Sequence, residues 1–298
     1  MAKIQHLVFS GGGPTALKYL GALRYLESVG VWKYSDLKSV YGTSAGGMLA
    51  VVLCCKHDWD TSIDYFVKRP WHSAFKITPD DIFNLYSRKG IIGQPFIEIM
   101  FKPLFDAKNI PMNITLQEFY EWSGIDLHLF SLELNSFEMC DISHITHPNL
   151  PVLTAVHMTS AIPILFLPVC MDGKCYIDGG IVNNYPLAYC IKDHPDEDDI
   201  LSFKNVYADS DLYSNIEPES TVVDVIVSLC QHLLKHTNAK TNAAEIPNQM
   251  LQPSAGLSAE YFSQTLESES FRQGLIDDGV DTAIKWMSIR EDNKDNNG

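Results

Sequence analysis

Ile4–Phe9 is a short, mainly apolar stretch that stops at Ser10-Gly11-Gly12-Gly13, the pattern of a strand running into a tight loop. Leu17, Leu20, Leu23 and Leu26 then recur at helical spacing, and Gly30 supplies a stop. A second short strand at Ser39–Tyr41 leads into Gly42-Thr43-Ser44-Ala45-Gly46, followed by an apolar helix through Met48–Cys55. Strand, helix, strand, helix in this rhythm predicts an α/β fold, a mostly parallel sheet covered by helices. Further on, Leu127–Leu134 and Phe137–Ile142 flank Asn135-Ser136 as paired strands. Leu153–Ile162 reads as a helix up to Pro163, and Leu165–Val169 and Lys174–Ile177 read as strands. Val222–Leu234 and Phe271–Met287 carry the periodicity of amphipathic, core-facing helices.

Between Asp58 and Pro111 the pattern changes. Aromatics including Trp59, Phe66, Trp71, Phe75, Phe83, Tyr86, Phe96 and Phe101 crowd a stretch broken by Pro70, Pro79, Pro95 and Pro103. This reads either as a helical excursion packed on the core or as the wall of an apolar cleft. The expected organisation is one domain over residues 1–289. Within it, 58–111 is the excursion or cap and 205–289 a C-terminal helical part; a disordered, frayed tail follows at 290–298.

Charge and composition narrow the partners. A formal net charge of −15 over 298 residues leaves no basic stripe for nucleic acid. The same charge weakens attraction to anionic membranes, so any contact with a lipid surface rests on apolar and aromatic side chains. The longest apolar run, Met48–Cys55, is too short to span a bilayer, and no signal-like apolar core follows Met1. A cytoplasmic protein, peripheral on membranes at most, is the expectation. The seven cysteines form no C-x-x-C pair, which predicts free reduced thiols and no zinc site. Asn113-Ile114-Thr115 matches a glycosylation sequon, read as coincidental in that compartment.

Gly42-x-Ser44-x-Gly46 between a strand and a helix has the form of a nucleophile elbow. The glycines let the chain turn sharply, and the hydroxyl then stands at a helix N-terminus whose dipole favours developing negative charge. The bland alternative is a turn with a helix-capping serine. Gly11, Gly12 and Gly13 also have two readings. They can form a cradle of amides for an oxyanion, or the start of a dinucleotide fingerprint, Gly11-x-Gly13-x-x-Ala16. The second needs an acidic residue at the end of the next strand, where Tyr41-Gly42-Thr43-Ser44 stands instead. Asp178 follows a short strand and precedes Gly179-Gly180, as a turn aspartate or as a base brought close to another loop.

Four groups of segments resemble the patatin-like phospholipases. They are Ser10-Gly11-Gly12-Gly13 with Leu20-Gly21-Ala22-Leu23, Gly42-Thr43-Ser44-Ala45-Gly46, Ser160-Ala161-Ile162-Pro163 with Phe166-Leu167-Pro168, and Tyr176-Ile177-Asp178-Gly179-Gly180 with Asn183-Asn184-Tyr185-Pro186. The resemblance implies a central, mostly parallel sheet flanked by helices and a Ser–Asp dyad without histidine, metal or organic cofactor. By resemblance Ser44 is the nucleophile, Asp178 the base, and the Gly11–Gly13 loop the oxyanion hole. The implied substrate is a phospholipid or another acyl-ester lipid, met at a membrane surface and cleaved through an acyl-enzyme. One departure stands out: Pro14, Thr15 and Ala16 follow the glycines where the family carries a basic residue and a further glycine. That departure motivates one alternative, an inactive lipid-binding or scaffold protein of the same fold; a non-lipid esterase using the same dyad is a third reading. A Ser-His-Asp triad would draw on His194, His232 or His236, the histidines that follow Asp178. His232 and His236 are four apart but lack a third metal ligand.

Overall fold

A computed structural model of the chain describes residues 3–74, 89–207, 216–219, 225, 226, 228–230, 232, 233, 245–254 and 259–295. β1 (His6–Phe9) pairs with parallel strands on both edges and is buried at every position because core packs on both faces, Leu7 and Phe9 on one and Val8 on the other, so its sequence reads as a run and not as an alternation. It passes through a 3-10 turn at Gly13–Thr15 into α1 (Ala16–Ser28), and β2 (Ser39–Thr43) passes directly into α2 (Ala45–Cys54).

The aromatic excursion follows as α3 (Trp59–Lys68), α4 (Trp71–Ala74), β3 (Gly90–Ile92) and α5 (Gln94–Asp106). Phe75, Pro79, Phe83 and Tyr86 lie outside the described residues. α6 (Leu116–Ser123) begins with a capping box of Thr115 and Glu118 and ends at left-handed Gly124. β4 (Asp126–Glu133) and β5 (Glu138–Ile142) form the predicted antiparallel pair. α7 (Val152–Ser160) is followed by β6 (Ile164–Phe166), β7 (Val169–Met171) and β8 (Lys174–Asp178). The single strand expected over Leu165–Val169 is thus two, broken at Leu167-Pro168, and β6 pairs with β3 apart from the main sheet.

α8 (Leu187–Asp193) and β9 (Ile200–Tyr207) come next, then β10 (Gln249–Ser254), α9 (Ala259–Glu267) and α10 (Glu269–Asp295). The C-terminal part is therefore not wholly helical: β10 extends the main sheet as its edge, parallel to β9. α10 continues past residue 290 to Asp295, and Arg290 stacks on Trp286 and donates to Pro247 O and to Asn248 Oδ1. The helix expected over Val222–Leu234 falls mostly outside the described residues.

Hydrogen-bonded neighbours in the main sheet follow the path β10-β9-β1-β2-β4-β8-β7, with β5 also on β4. The expectation of free thiols fails at one place. Cys170 on β7 and Cys175 on β8 face each other across a hairpin and form a disulfide, a pairing that depends on the turn between them. Cys54, Cys55, Cys140, Cys190 and Cys230 are free. No helix among the described residues is long and apolar enough to cross a membrane.

Candidate active site

The register of the sheet brings Ser44 and Asp178 together. β4 pairs with β2 up to Thr43 opposite Phe130, and with β8 from Ser131 opposite Asp178. β5 overlaps both of these ranges and so occupies the other edge of β4. β2 and β8 therefore share one edge and meet head to head, one rung apart, or about 3.3 Å along the strand. The chain turns away at Ser44 from one side and at Gly179 from the other.

Ser44 adopts φ 56° and ψ −128°, a left-handed conformation that strains any residue with a Cβ. Three contacts hold it. Its N–H donates to Thr159 Oγ1 at 2.9 Å, Thr159 in turn donates to Phe130 O at 2.5 Å, and Ser44 O accepts from Met48 N at 3.0 Å. Gly46 permits the elbow, since a Cβ there would lie 2.6 Å from Ser10 O and 2.8 Å from Phe9 O. The result is a serine only 6% exposed at the start of α2.

Asp178 is 3% exposed. Its N–H donates to Ala161 O at 3.0 Å, and Oδ1 accepts from Gly180 N at 2.7 Å. Burial pushes the carboxyl up to about 7, against the opposing pull of the Ser44 hydroxyl and the Gly180 amide. Oδ2 is buried with no hydrogen-bond partner among the described residues. The serine thus favours the charged carboxylate from close range while one oxygen remains open to accept a proton.

The glycine loop divides into two roles. Gly11 N donates to Asn184 O at 3.0 Å, and Gly11 O accepts from Asn184 Nδ2 at 2.9 Å and from Asn205 Nδ2 at 2.5 Å. Tyr19 donates its hydroxyl to Asn205 Oδ1. The Gly11 amide is therefore already engaged, a correction to its expected place as an oxyanion donor. What Gly11 supplies is proximity, because a Cβ on it would sit 2.8 Å from Ser44 Cβ. The amides of Gly12 and Gly13 have no acceptor among the described residues. Thr15, where the family carries its cation, is fully buried and shares a 2.8 Å hydrogen bond with Ser254 Oγ.

Ser44 opens onto a cavity of about 180 Å3 whose wall is almost entirely apolar, built from Leu20, Met48, Phe66, Phe96, Phe101 and Phe166 among others. The aromatic excursion thus both packs on the core and walls the cleft. Phe262 and Leu266 of α9 complete the wall, with Arg272 beside them. The Arg272 guanidinium donates to Val67 O at 2.8 Å, Arg69 O at 3.0 Å and Thr265 O at 2.8 Å, closing the C-terminal ends of α3 and α9.

No histidine completes a triad among the described residues. His194 stacks on His6 at 3.6 Å and lies 3.5 Å from Ser39 Oγ, at the opposite end of β2 from Ser44. His232 is exposed, and His236 lies outside the described residues. Sequence reasoning missed a cluster at that opposite end, where ligand atoms of His128, Asp141 and Asp193 lie within 4.8 Å of one another. His128 is already paired there, with Nδ1 3.0 Å from Asp141 and Nε2 3.2 Å from Asp126. Burial pulls its pKa down, but the two carboxylates outweigh it and raise it to about 9. Thr159 and Asn205 were also missed; single polar residues in apolar surroundings carry no motif.

The family model of the patatin-like phospholipases matches residues 7–191. The chain is 26% identical over 191 residues to "Probable lipid hydrolase 463L" of Invertebrate iridescent virus 6, covering 63% of each protein. It is 24% identical over 207 residues to triacylglycerol lipase ptl3 of Schizosaccharomyces pombe, covering 61% of this chain and 41% of that one. The crystal structure of VipD from Legionella pneumophila shares the fold, with a TM-score of 0.55 and 18% identity over 95% of this chain and 66% of that one. The chain thus spans less than two thirds of the length of the viral protein and of VipD. With the match covering well over half of its residues, the chain belongs to the patatin-like phospholipase family.

Proposed function

We propose that the chain is a lipid acyl hydrolase in which Ser44 is the nucleophile and Asp178 its general base. The observation that carries this reading is the juxtaposition, by strand register, of a strained serine and a buried, proton-avid carboxylate at the edge of an apolar cavity. Ser44 Oγ attacks the ester carbonyl carbon and its proton passes to Asp178. The negative charge on the former carbonyl oxygen is met by the amides of Gly12 and Gly13 and by the N-terminal end of α2. On collapse the carbon–alkoxy bond breaks, Asp178 returns the proton to the departing alkoxide, and an acyl-enzyme remains. Water then attacks with Asp178 again as base, releasing the fatty acid.

The apolar wall supports a fatty acyl chain as the bound part of the substrate, with phospholipid as the leading class. Burial of Thr15 leaves no cation on the glycine loop, so head-group recognition does not reside there. Residues 1–289 are read as one unit, because α9 and α10, beyond the family match, supply part of the cavity wall. Contact with a lipid surface is expected at the cavity mouth, through apolar side chains.

The test is mass spectrometry of products released from a mixed lipid extract by the wild type and by Ser44→Ala. Free fatty acids and the matching lysolipids or partial glycerides should accumulate only with the wild type. Equal release by both proteins, or release of neither product, would overturn the reading.

A further inference from the structure

One buried polar group in the cavity has no part in the mechanism so far. Ser160, the last residue of α7, lines the cavity together with Ser44, is 2% exposed, and its hydroxyl has no hydrogen-bond partner among the described residues. Buried beside an almost wholly apolar wall, such a hydroxyl costs the fold free energy until a partner reaches it. Its sequence neighbours pin its place. Thr159 Oγ1 accepts from the Ser44 amide at 2.9 Å, and Ala161 O accepts from the Asp178 amide at 3.0 Å. Ser160 therefore sits between the residues that hold the nucleophile and the base. Ser131 Oγ fixes the same junction, its single proton facing Ile177 O at 2.7 Å with Met158 O also within reach at 3.0 Å.

The two flanks of Ser44 differ. On the β1 flank the glycine loop approaches the serine, and its Gly12 and Gly13 amides, without acceptors among the described residues, suit the developing oxyanion. On the β4 flank lie Asp178 and the end of α7. The departing alkoxy oxygen must face Asp178, because that carboxylic acid returns the proton to it. A cavity-lining group on this flank, as Ser160 at the end of α7 is, therefore meets the alkoxy oxygen and not the oxyanion. We propose that Ser160 is a further catalytic residue that donates a hydrogen bond to the alkoxy oxygen of the ester as its bond to the carbonyl carbon breaks. Ser160 keeps its proton throughout; the proton that makes the product alcohol is the one Asp178 took from Ser44. This inference rests on the hydrolase reading above.

The experiment compares wild type and Ser160→Ala on two esters of one fatty acid, a phosphatidylcholine in mixed micelles and the p-nitrophenyl ester. kcat/KM reports the acylation half-reaction, in which the alkoxy oxygen leaves. An alkyl alkoxide needs help in departing, whereas nitrophenolate leaves with little. The loss on the phospholipid should exceed the loss on the nitrophenyl ester by about tenfold or more, some 1.4 kcal/mol of barrier. Ser160→Gly should show the same split, and equal fluorophosphonate labelling of Ser44 in all three proteins verifies an assembled site. Equal losses on both esters, or no loss on either, would overturn the inference while leaving the hydrolase reading intact. A wild type that hydrolyses neither ester would instead overturn that reading, and the inference with it.

Discussion

The sheet carries buried ionisable groups at both ends, and the two ends treat them in opposite ways. Towards the N-terminal ends of β1, β2 and β4 the buried histidines, Tyr41 and their carboxylates are paired with one another. His128 is held between Asp126 and Asp141, His144 Nδ1 meets Asp126 at 2.9 Å, Tyr41 donates to Asp193 at 2.9 Å, and His6 stacks on His194. Where the parallel strands end, Asp178 Oδ2 and the Ser160 hydroxyl are buried without partners among the described residues, and Ser44 is strained. Paired burial stabilises a fold, whereas unpaired burial is a cost that persists where a substrate later supplies the missing partner. Ligands of open α/β sheets sit at the carboxyl ends of the strands, the end where the orphaned groups lie here.

The sharpest way to break the comparison is at Ser44. Ser44→Gly should lower hydrolysis by about 10⁴-fold or more while raising stability by about 1 kcal/mol, since glycine tolerates φ 56°. Kinetics and chemical unfolding of one preparation read both effects. Asp178→Asn comes next, with a loss of about 10³-fold. Its effect on stability depends on pH, because the native carboxyl holds its proton up to about 7 and the unfolded one releases it near the ordinary aspartate value of 3.8. Between those values the native state binds more protons, so wild-type stability falls as pH rises. The asparagine variant should therefore unfold at higher temperature than wild type at about pH 8 and lose that advantage near about pH 4.

The paired end should behave in the opposite sense. His128→Ala leaves Asp126 and Asp141 without their shared cation and should cost about 3 kcal/mol of stability, while the folded fraction keeps its hydrolytic activity. His128 has a raised native pKa, so its contribution is fully present below the ordinary histidine value of 6.5 and is lost as pH rises through about 9. That window lies above the one set by Asp178, and unfolding measured across the pH range separates the two ends. The smallest effect belongs to the support of the elbow. Thr159→Val removes the acceptor of the Ser44 amide and should cost about 1–3 kcal/mol in stability, with a roughly tenfold loss of kcat/KM.

The same contrast explains what the sequence could tell. Gly42, Gly46 and Gly11 mark the elbow and the loop because close backbone approach excludes every other side chain, so the requirement is written into residue identity. β1, β2, β4 and β8 were legible for a similar reason, being short apolar runs next to turn residues. β10 was not. It is an edge strand containing Pro253 and two glutamines, and the neighbour that orders it lies about 45 residues upstream. The Cys170–Cys175 disulfide depended on a hairpin register, and the engagement of the Gly11 amide on Asn184, 173 residues away. Such tertiary partners leave no local periodicity to read.

The account's central claim is that Asp178 activates Ser44. The most direct measurement is the rate at which a fluorophosphonate labels Ser44, followed between about pH 5 and pH 9 in wild type, Ser44→Gly and Asp178→Asn. The predicted result is labelling that rises with pH through about 7 in wild type, is absent without Ser44, and is slow and flat in the asparagine variant. Labelling of wild type that ignores pH over this range, or that survives intact in Asp178→Asn, would contradict it.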